Sequence, residues 1–97
     1  MLEKLTIDDF SNRVGETFTA TAADGRVLAL VLKSVDGLQG RPDADRAPFS
    51  LSFKDEAQDH VPQQTVAMEH AQMGKFDLFV VPLGPGPDGM RYEAIFT

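Results

Sequence analysis

The spacing of apolar residues predicts a short helix near the start of the chain. Ile7, Phe10 and Val14 recur at intervals of three and four residues, which places them on one helix face. Gly15 follows them as a natural stop signal. We therefore predict a two-turn helix over Ile7–Val14. Its apolar face must pack on a sheet, because so short a helix is not stable alone.

The residues around Thr6 fit the start of that helix. Thr6 is placed to cap it, and Asp9 completes a weak capping box, in which Glu or Gln is more usual. Leu5 precedes the cap and Phe10 follows it by four residues, as in a hydrophobic staple. The sequence therefore predicts Thr6 as the N-cap.

After Gly15 the period changes to two, which is typical of strands with one buried face. In the clearest strand, Phe49, Leu51 and Phe53 are expected to face inward, with Ser50 and Ser52 outward. The pattern predicts strands over Glu16–Ala22, Arg26–Val35, Pro48–Lys54, Thr65–His70, Lys75–Leu83 and Met90–Phe96.

Two of these strands are apolar on both faces at their centres. Val27–Leu32 has no polar residue, and the fifth strand is similar around Leu78 to Val81. Strands of this composition are usually buried on both sides. We therefore expect the second strand to be central or covered by the helix.

The segments between strands carry turn and loop residues. Asp24-Gly25 is a strong hairpin signal. Asp36–Ala47 is the longest predicted loop, Asp55–Gln64 is a polar loop, and the Gly-Pro-rich stretch Gly84–Gly89 is predicted to turn the chain.

Short connections favour antiparallel neighbours. The expected fold is mostly β, an antiparallel six-stranded meander forming a small barrel or a two-layer sandwich, with one short N-terminal α-helix. The helix should plug one end or cover one face. Such a small barrel should have an interior filled by side chains. The expected interior residues are Phe18, Leu30, Phe53, Phe76, Leu78 and Phe96.

Length and composition limit the function classes. The chain has 97 residues and a mass of 10.6 kDa, so folding buries about 64% of its surface, enough for a single domain over residues 1–97. The net charge of −6 argues against nucleic acid as a partner. Cysteine is absent, which excludes disulfides and thiol chemistry.

The chain shows no pattern that would direct it to or into a membrane. The residues from Met1 lack the basic start and apolar run of a signal peptide. The longest apolar run, Val27–Leu32, is far shorter than the ~20 residues that span a bilayer. We therefore expect a soluble cytoplasmic protein without a membrane partner.

Candidate catalytic and metal-binding residues are few. His60 and His70 are the only histidines, and we expect both on the surface because no convincing further ligands accompany them. Gly84–Gly89 lacks the Gly-Lys-Ser/Thr ending of a phosphate loop, and no serine lies in a nucleophile elbow. No catalytic residue, cofactor or metal is expected, and an enzymatic activity is not favoured.

Three stretches carry a resemblance to a known family. They are residues 5–10 with 15–18, the strand Pro48–Phe53, and the long segment from Gly74 to Phe96. Together they resemble a family of small, uncharacterised bacterial proteins known only as a domain of unknown function. The resemblance covers nearly the whole chain and brings no catalytic residues. It implies at most a role in assembling or modifying a phage-tail-like particle.

Two functions from different classes remain open. The first is a non-enzymatic structural or protein-interaction module whose partner is another protein. Asp55, Glu56 and Asp59 are then candidate partner-binding residues, since acidic side chains in a loop attract a basic partner. The alternative is a small-ligand-binding or enzymatic β-barrel. The oligomeric state is not indicated by the sequence.

Overall fold

Six antiparallel strands close into a small barrel in the computed structural model, which describes residues 5–38, 48–56, 61–87 and 89–96. The predicted fold class is confirmed. Of the two architectures that the sequence left open, the small barrel and the two-layer sandwich, the structure has the closed barrel. The elements are α1 (Ile7–Ser11), β1 (Thr17–Thr21), β2 (Val27–Gly37), β3 (Phe49–Asp55), β4 (Gln64–His70), β5 (Gly74–Gly86) and β6 (Gly89–Phe96).

The barrel consists of two layers that share their longest strands, β2 and β5. The first half of β2 pairs with β1 and its second half with β3. Likewise, β5 pairs with β4 up to Val80 and with β6 from Val81 onward. Each of these strands contains one register shift, between Leu32 and Ser34 and between Pro82 and Gly84. Such bulges bend a strand and let it pass from one layer to the next.

The strand order is β1-β2-β3-β6-β5-β4 around the closed barrel. The two halves β1–β3 and β4–β6 are each a meander, but the connection between β3 and β4 departs from the single meander that we expected. In a ring of this order β3 and β4 lie opposite each other rather than side by side. Short loops predict neighbouring strands, but the polar segment between β3 and β4 is longer, so that rule does not apply to it.

Phe10 of α1 closes the other end of the barrel. Its ring lies within 6.5 Å, between centroids, of four phenylalanine rings, and its side chain is fully buried. Two of these rings belong to the strands that part near this end, Phe76 of β5 at 6.3 Å and Phe96 of β6 at 5.5 Å. The helix therefore fills the opening where the β5–β6 ladder ends.

At the opposite end, the β3–β4 connection contributes a buried plug. Val61 is fully buried, and its backbone N–H donates to the hydroxyl of Tyr92 at 3.0 Å. A buried tyrosine hydroxyl needs a hydrogen-bond partner, and this bond supplies one. Val61 is thus held in the interior of the barrel by its hydrogen bond to Tyr92.

The start of α1 is as predicted, but its end is not. Thr6 is the N-cap, and its backbone N–H donates to Asp9 Oδ2 at 2.7 Å within a capping box. The helix ends at Ser11, because the following residues bond to the barrel: the Gly15 N–H donates to the Leu32 carbonyl at 2.8 Å. Val14 consequently lies outside the helix face and is 52% exposed.

Strand boundaries also differ from the sequence pattern. β2 continues to Gly37, where the expected long loop had begun, and residues 39–47 of that loop lie outside the described part. β5 extends through Pro85 to Gly86, in the stretch predicted to be a turn. Proline is tolerated there because this half of β5 pairs with β6 alone among the described residues.

The predicted core residues are buried, but one serine that was expected to face outward is buried as well. All six expected interior residues are buried, as are Phe49 and Leu51. Ser52 is half-buried, as an outward residue can be, but Ser50 is only 6% exposed. Ser50 lies on a central strand between β2 and β6, where neighbours on both sides cover a small side chain.

The position of Phe10 predicts a large effect of its truncation. Phe10→Ala should lower the free energy of unfolding by about 3–5 kcal/mol, since it empties the end of the barrel. Phe79→Ala is the matched control, because Phe79 is 51% exposed. Urea unfolding of both variants checks this, and equal losses would contradict the closing role of Phe10.

Candidate functional site

The three acidic residues proposed from sequence do not form one exposed cluster. Asp55 is the last residue of β3 and only 3% exposed, so its placement in a loop was wrong. Glu56 follows it, with 71% of its side chain exposed and an ion pair of 3.2 Å to Lys54. Asp59 lies outside the described residues. Partner binding stays a prediction, and of these three candidates Glu56 is the one with an exposed side chain among the described residues.

Gly89 explains why Asp55 is held inside the fold. The φ angle of Gly89 is +135°, a region that favours glycine, and an added Cβ would overlap the Asp55 carbonyl oxygen. The backbone of β6 therefore lies directly against the end of β3, in register with the Asp55–Met90 pair. Asp55 is therefore buried where the end of β3 meets the start of β6.

Glu56 borders a groove of about 450 Å³ on the outside of the barrel. The outer side chains of β2 from Val27 to Val31 form one wall, and Thr17 of β1 contributes to the lining. Val27 is 64% exposed. The groove thus combines an apolar strand face with a carboxylate.

His70 is the one described histidine, and it is buried rather than on the surface. Its Nε2 lies 2.6 Å from Glu16 Oε1, and its ring centroid lies 4.5 Å from that of Phe18. Its Nδ1 accepts the backbone N–H groups of Gln72 and Met73 at 3.1 and 3.2 Å. Because Nδ1 accepts, Nε2 carries the proton and donates to Glu16. His60 lies outside the described residues.

Arg13 extends this arrangement into a network at the helix end of the barrel. Its Nε donates to the Asp9 carbonyl at 2.9 Å and its Nη1 to Gln72 Oε1 at 3.0 Å. The same Nη1 lies 3.6 Å from Glu16 Oε1. The network therefore joins α1, the start of β1 and the β4–β5 turn.

A histidine beside a carboxylate is also a common catalytic arrangement, but the geometry here favours a structural role. Both ring nitrogens of His70 already have partners, so the neutral ring has no lone pair left for a metal or a substrate proton. The ring caps the turn that follows β4 and fixes Glu16 beside it.

The burial of His70 had a signal in the sequence. Val66 and Met68 are the apolar residues that alternate along the fourth predicted strand, and a period of two places His70 on the same face. Glu69 lies on the opposite face and is exposed. The residue type suggested the surface, whereas the alternation indicated the core.

The two strands that are apolar on both faces are not covered on the outside. Val27 is 64% exposed on β2, and Phe79 and Leu83 are 51% and 46% exposed on β5. The second strand was expected to be central or covered by the helix. It is central, since it pairs with β1 and with β3, but α1 leaves Val27 on its outer face exposed, because Phe10 of α1 fills an end of the barrel. These strands therefore present apolar side chains outward.

One such surface lies on β5 and β6. Phe79, Leu83 and Ile95, which we name the β5–β6 patch, lie outward on two neighbouring strands, and Ile95 is 55% exposed. Single exposed apolar residues are common, but a group on adjacent strands is typical of an interaction surface. The sequence pattern showed that the fifth strand is apolar on both faces at its centre, which includes Phe79.

Two kinds of feature are absent from the described residues, a metal-binding cluster and a membrane-spanning helix. Within the described ranges, no group of three His, Cys, Asp or Glu side chains is arranged to hold a metal ion. The described part of the chain likewise contains no helix with the length and hydropathy of a bilayer span.

The fold defines a helix-plugged, six-stranded antiparallel barrel. The chain belongs to the family described as domain of unknown function (DUF6916), whose profile matches residues 5–96. This confirms the resemblance seen in the sequence, while a bacterial origin stays a prediction. No curated protein and no solved structure shows significant similarity to the chain.

Gly89→Ala tests the close approach of β6 to β3. We expect it to be about 1–3 kcal/mol more destabilising than Gly25→Ala, because the added methyl group meets the Asp55 backbone. Gly25 is the control, with a φ of +90° and nothing within 4 Å of an added Cβ, so it carries only the backbone cost. Similar unfolding energies for the two variants would show that β6 adapts.

His70→Ala should destabilise the protein, because the N–H groups of Gln72 and Met73 lose their buried acceptor. Buried donors without a partner cost about 1–3 kcal/mol. Glu69→Ala, on the exposed face of the same strand, should change stability by about 0.5 kcal/mol or less. Denaturant titration measures both, and His70→Asn, which keeps an acceptor, should recover part of the loss.

Proposed function

We propose that the protein is a non-enzymatic interaction module that binds another protein through the β5–β6 patch. The observation that carries this proposal is the exposure of Phe79, Leu83 and Ile95 on neighbouring strands. Aromatic side chains are enriched in the cores of protein interfaces, and a few buried residues there supply most of the binding energy.

The rest of the barrel supports binding on the outside rather than the inside. Phe18, Leu30 and Phe53 fill the interior between the strands. Phe10 occupies one end, and Val61 is buried at the other. A barrel of this size with such a filling offers its outer surfaces to a partner. The small-ligand or enzymatic barrel is therefore the less supported alternative.

Two finer parts of the proposal rest on the sequence. A partner in a phage-tail-like assembly follows from the family resemblance, and a cytoplasmic location from the shortness of the apolar runs in the chain. Glu56 adds an acidic contact beside the β2 groove, which would suit a basic region of the same partner or of a second one.

The experiment is affinity capture from the native host, quantified by mass spectrometry. Phe79→Asp should reduce capture of the partner at least about tenfold, since it removes an aromatic anchor worth more than about 1.4 kcal/mol. Val27→Asp is the matched control, because Val27 is exposed on β2, which lies opposite β5 in the ring. Melting curves of both variants confirm that they fold.

The outcomes separate the surfaces and the function classes. Loss of capture in Val27→Asp alone would move the interface to the β2 groove, and Glu56→Lys should then weaken it further at low salt. Undiminished capture in both variants would contradict an apolar interface. Turnover of a small molecule that a single polar substitution abolishes would establish the enzymatic alternative instead.

A further inference from the structure

A second cavity opens on the outer face of the barrel layer formed by β2, β3, β6 and β5. Its volume is about 240 Å³, which suits a small group rather than a large ligand. Every strand of the layer contributes to it. The side chains that concern us are Lys33 and Ser34 of β2, Ser52 and Lys54 of β3, and Arg91 of β6.

The two β-bulges of the barrel meet at this cavity. In β2, Leu32 is buried inside and Val35 packs on the core, so the extra residue leaves both Lys33 and Ser34 on the outer side. In β5, the bulge between Pro82 and Gly84 brings Leu83 to the opposite wall. Bulges commonly redirect side chains next to functional sites.

The cavity gathers positive charge on an acidic protein. Lys54 and Arg91 are direct partners across the β3–β6 ladder, and like charges in that position destabilise a sheet. Lys33 adds a third cation, so three of the nine basic residues of a chain with net charge −6 line one cavity. An anion held between them would relieve this repulsion.

Among the described residues, no carboxylate lines the cavity, although several lie near it. Glu56 pairs with Lys54 at 3.2 Å, but its side chain is 71% exposed, and such pairs contribute little. Ser34 donates to Asp36 at 3.4 Å, and Glu93 lies beside Ser52 on the next strand. An anion in the cavity would add to the contacts that Lys33 and Lys54 already make and would meet Arg91 directly.

Arg91 is positioned to reach such an anion. Across the ladder it faces Gly84, which presents no side chain, and its stem runs along Gly86, where an added Cβ would lie 3.0 Å from Arg91 Cδ. Within the described ranges, Arg91 makes no hydrogen bond or ion pair, whereas Arg13 and Arg26 both do.

We propose that this cavity binds a phosphate group, free or carried as a monoester by a small molecule. Three cations from three strands, with the hydroxyls of Ser34 and Ser52, surround a charge from several directions. A phosphate monoester carries about −1.5 to −2 charges and three acceptor oxygens, which match this set. A carboxylate presents one planar pair of oxygens and suits a single arginine fork. The cavity shares Leu83 with the β5–β6 patch, but the phosphate site is argued from the cations and hydroxyls and not from the proposed protein interaction.

The test is an NMR titration of the full-length, ¹⁵N-labelled protein with inorganic phosphate at constant ionic strength and neutral pH. We expect saturable shifts of the Ser34, Ser52 and Arg91 amides. Arg91→Gln should raise the phosphate Kd about tenfold, as expected for the loss of one charge-assisted contact. Arg91→Lys, which keeps the charge, should recover part of the affinity.

Lys75→Gln is the matched control, because it removes one exposed positive charge from the other half of β5. Its phosphate Kd should equal that of the parent protein. Equal weakening by Lys75→Gln, or shifts spread over all lysines, would overturn the proposal in favour of general surface charge. Lys33→Gln provides a second site variant in case Arg91→Gln unfolds.

Titrations with two further ligands identify the chemical class of the ligand. Acetate at the same ionic strength should give weaker binding than phosphate, and tighter acetate binding would overturn the assignment to phosphate. A small phosphomonoester such as glycerol phosphate should match or exceed inorganic phosphate if the group is carried by a molecule. Tighter binding of free phosphate would identify the ion itself as the ligand. The absence of saturable shifts with every probe would refute the site.

Discussion

The packing of Phe10 between the parted strands β5 and β6 is the contact on which closure of the barrel depends. Its ring meets Phe76 and Phe96 at that opening and also contacts Phe18 and Phe49. A five-residue helix cannot hold such a ring in place alone. The network of Arg13, Glu16, His70 and Gln72 fixes the turn behind it, so the aromatic plug and the polar network act together.

The sequence predicts what local periodicity controls and misses what distant parts of the chain decide. Alternation located all six strands, and the Thr6 cap located the start of α1. The end of α1 depends on a bond from Gly15 to Leu32 in another strand. Similarly, β3 and β4 were expected to be neighbours because no local signal marks consecutive strands that lie on opposite sides of the barrel. His70 was misplaced because its residue type was given more weight than its position in the alternation.

The candidate surfaces likewise combine features that the sequence predicts with features that only the folded chain shows. Phe79 and Leu83 were recognised as apolar positions, but only the three-dimensional arrangement shows that α1 covers an end and leaves their face outward. Lys33, Lys54 and Arg91 are far apart in the chain and meet because of the β3–β6 register and a bulge in β2. Asp55 and Glu56 are adjacent, yet one is buried and the other exposed, because β3 ends between them.

The strand order also constrains how the protein is made on the ribosome. β3 finds its second neighbour only in β6, the last strand, and pairs such as Phe49–Phe96 join distant residues. While β4 and β5 are being synthesised, one edge of β3 has no partner strand within the barrel and is available to other chains. Contacts of such long range also slow folding. The nascent chain thus exposes this edge of β3 to other chains until β6 has emerged from the exit tunnel.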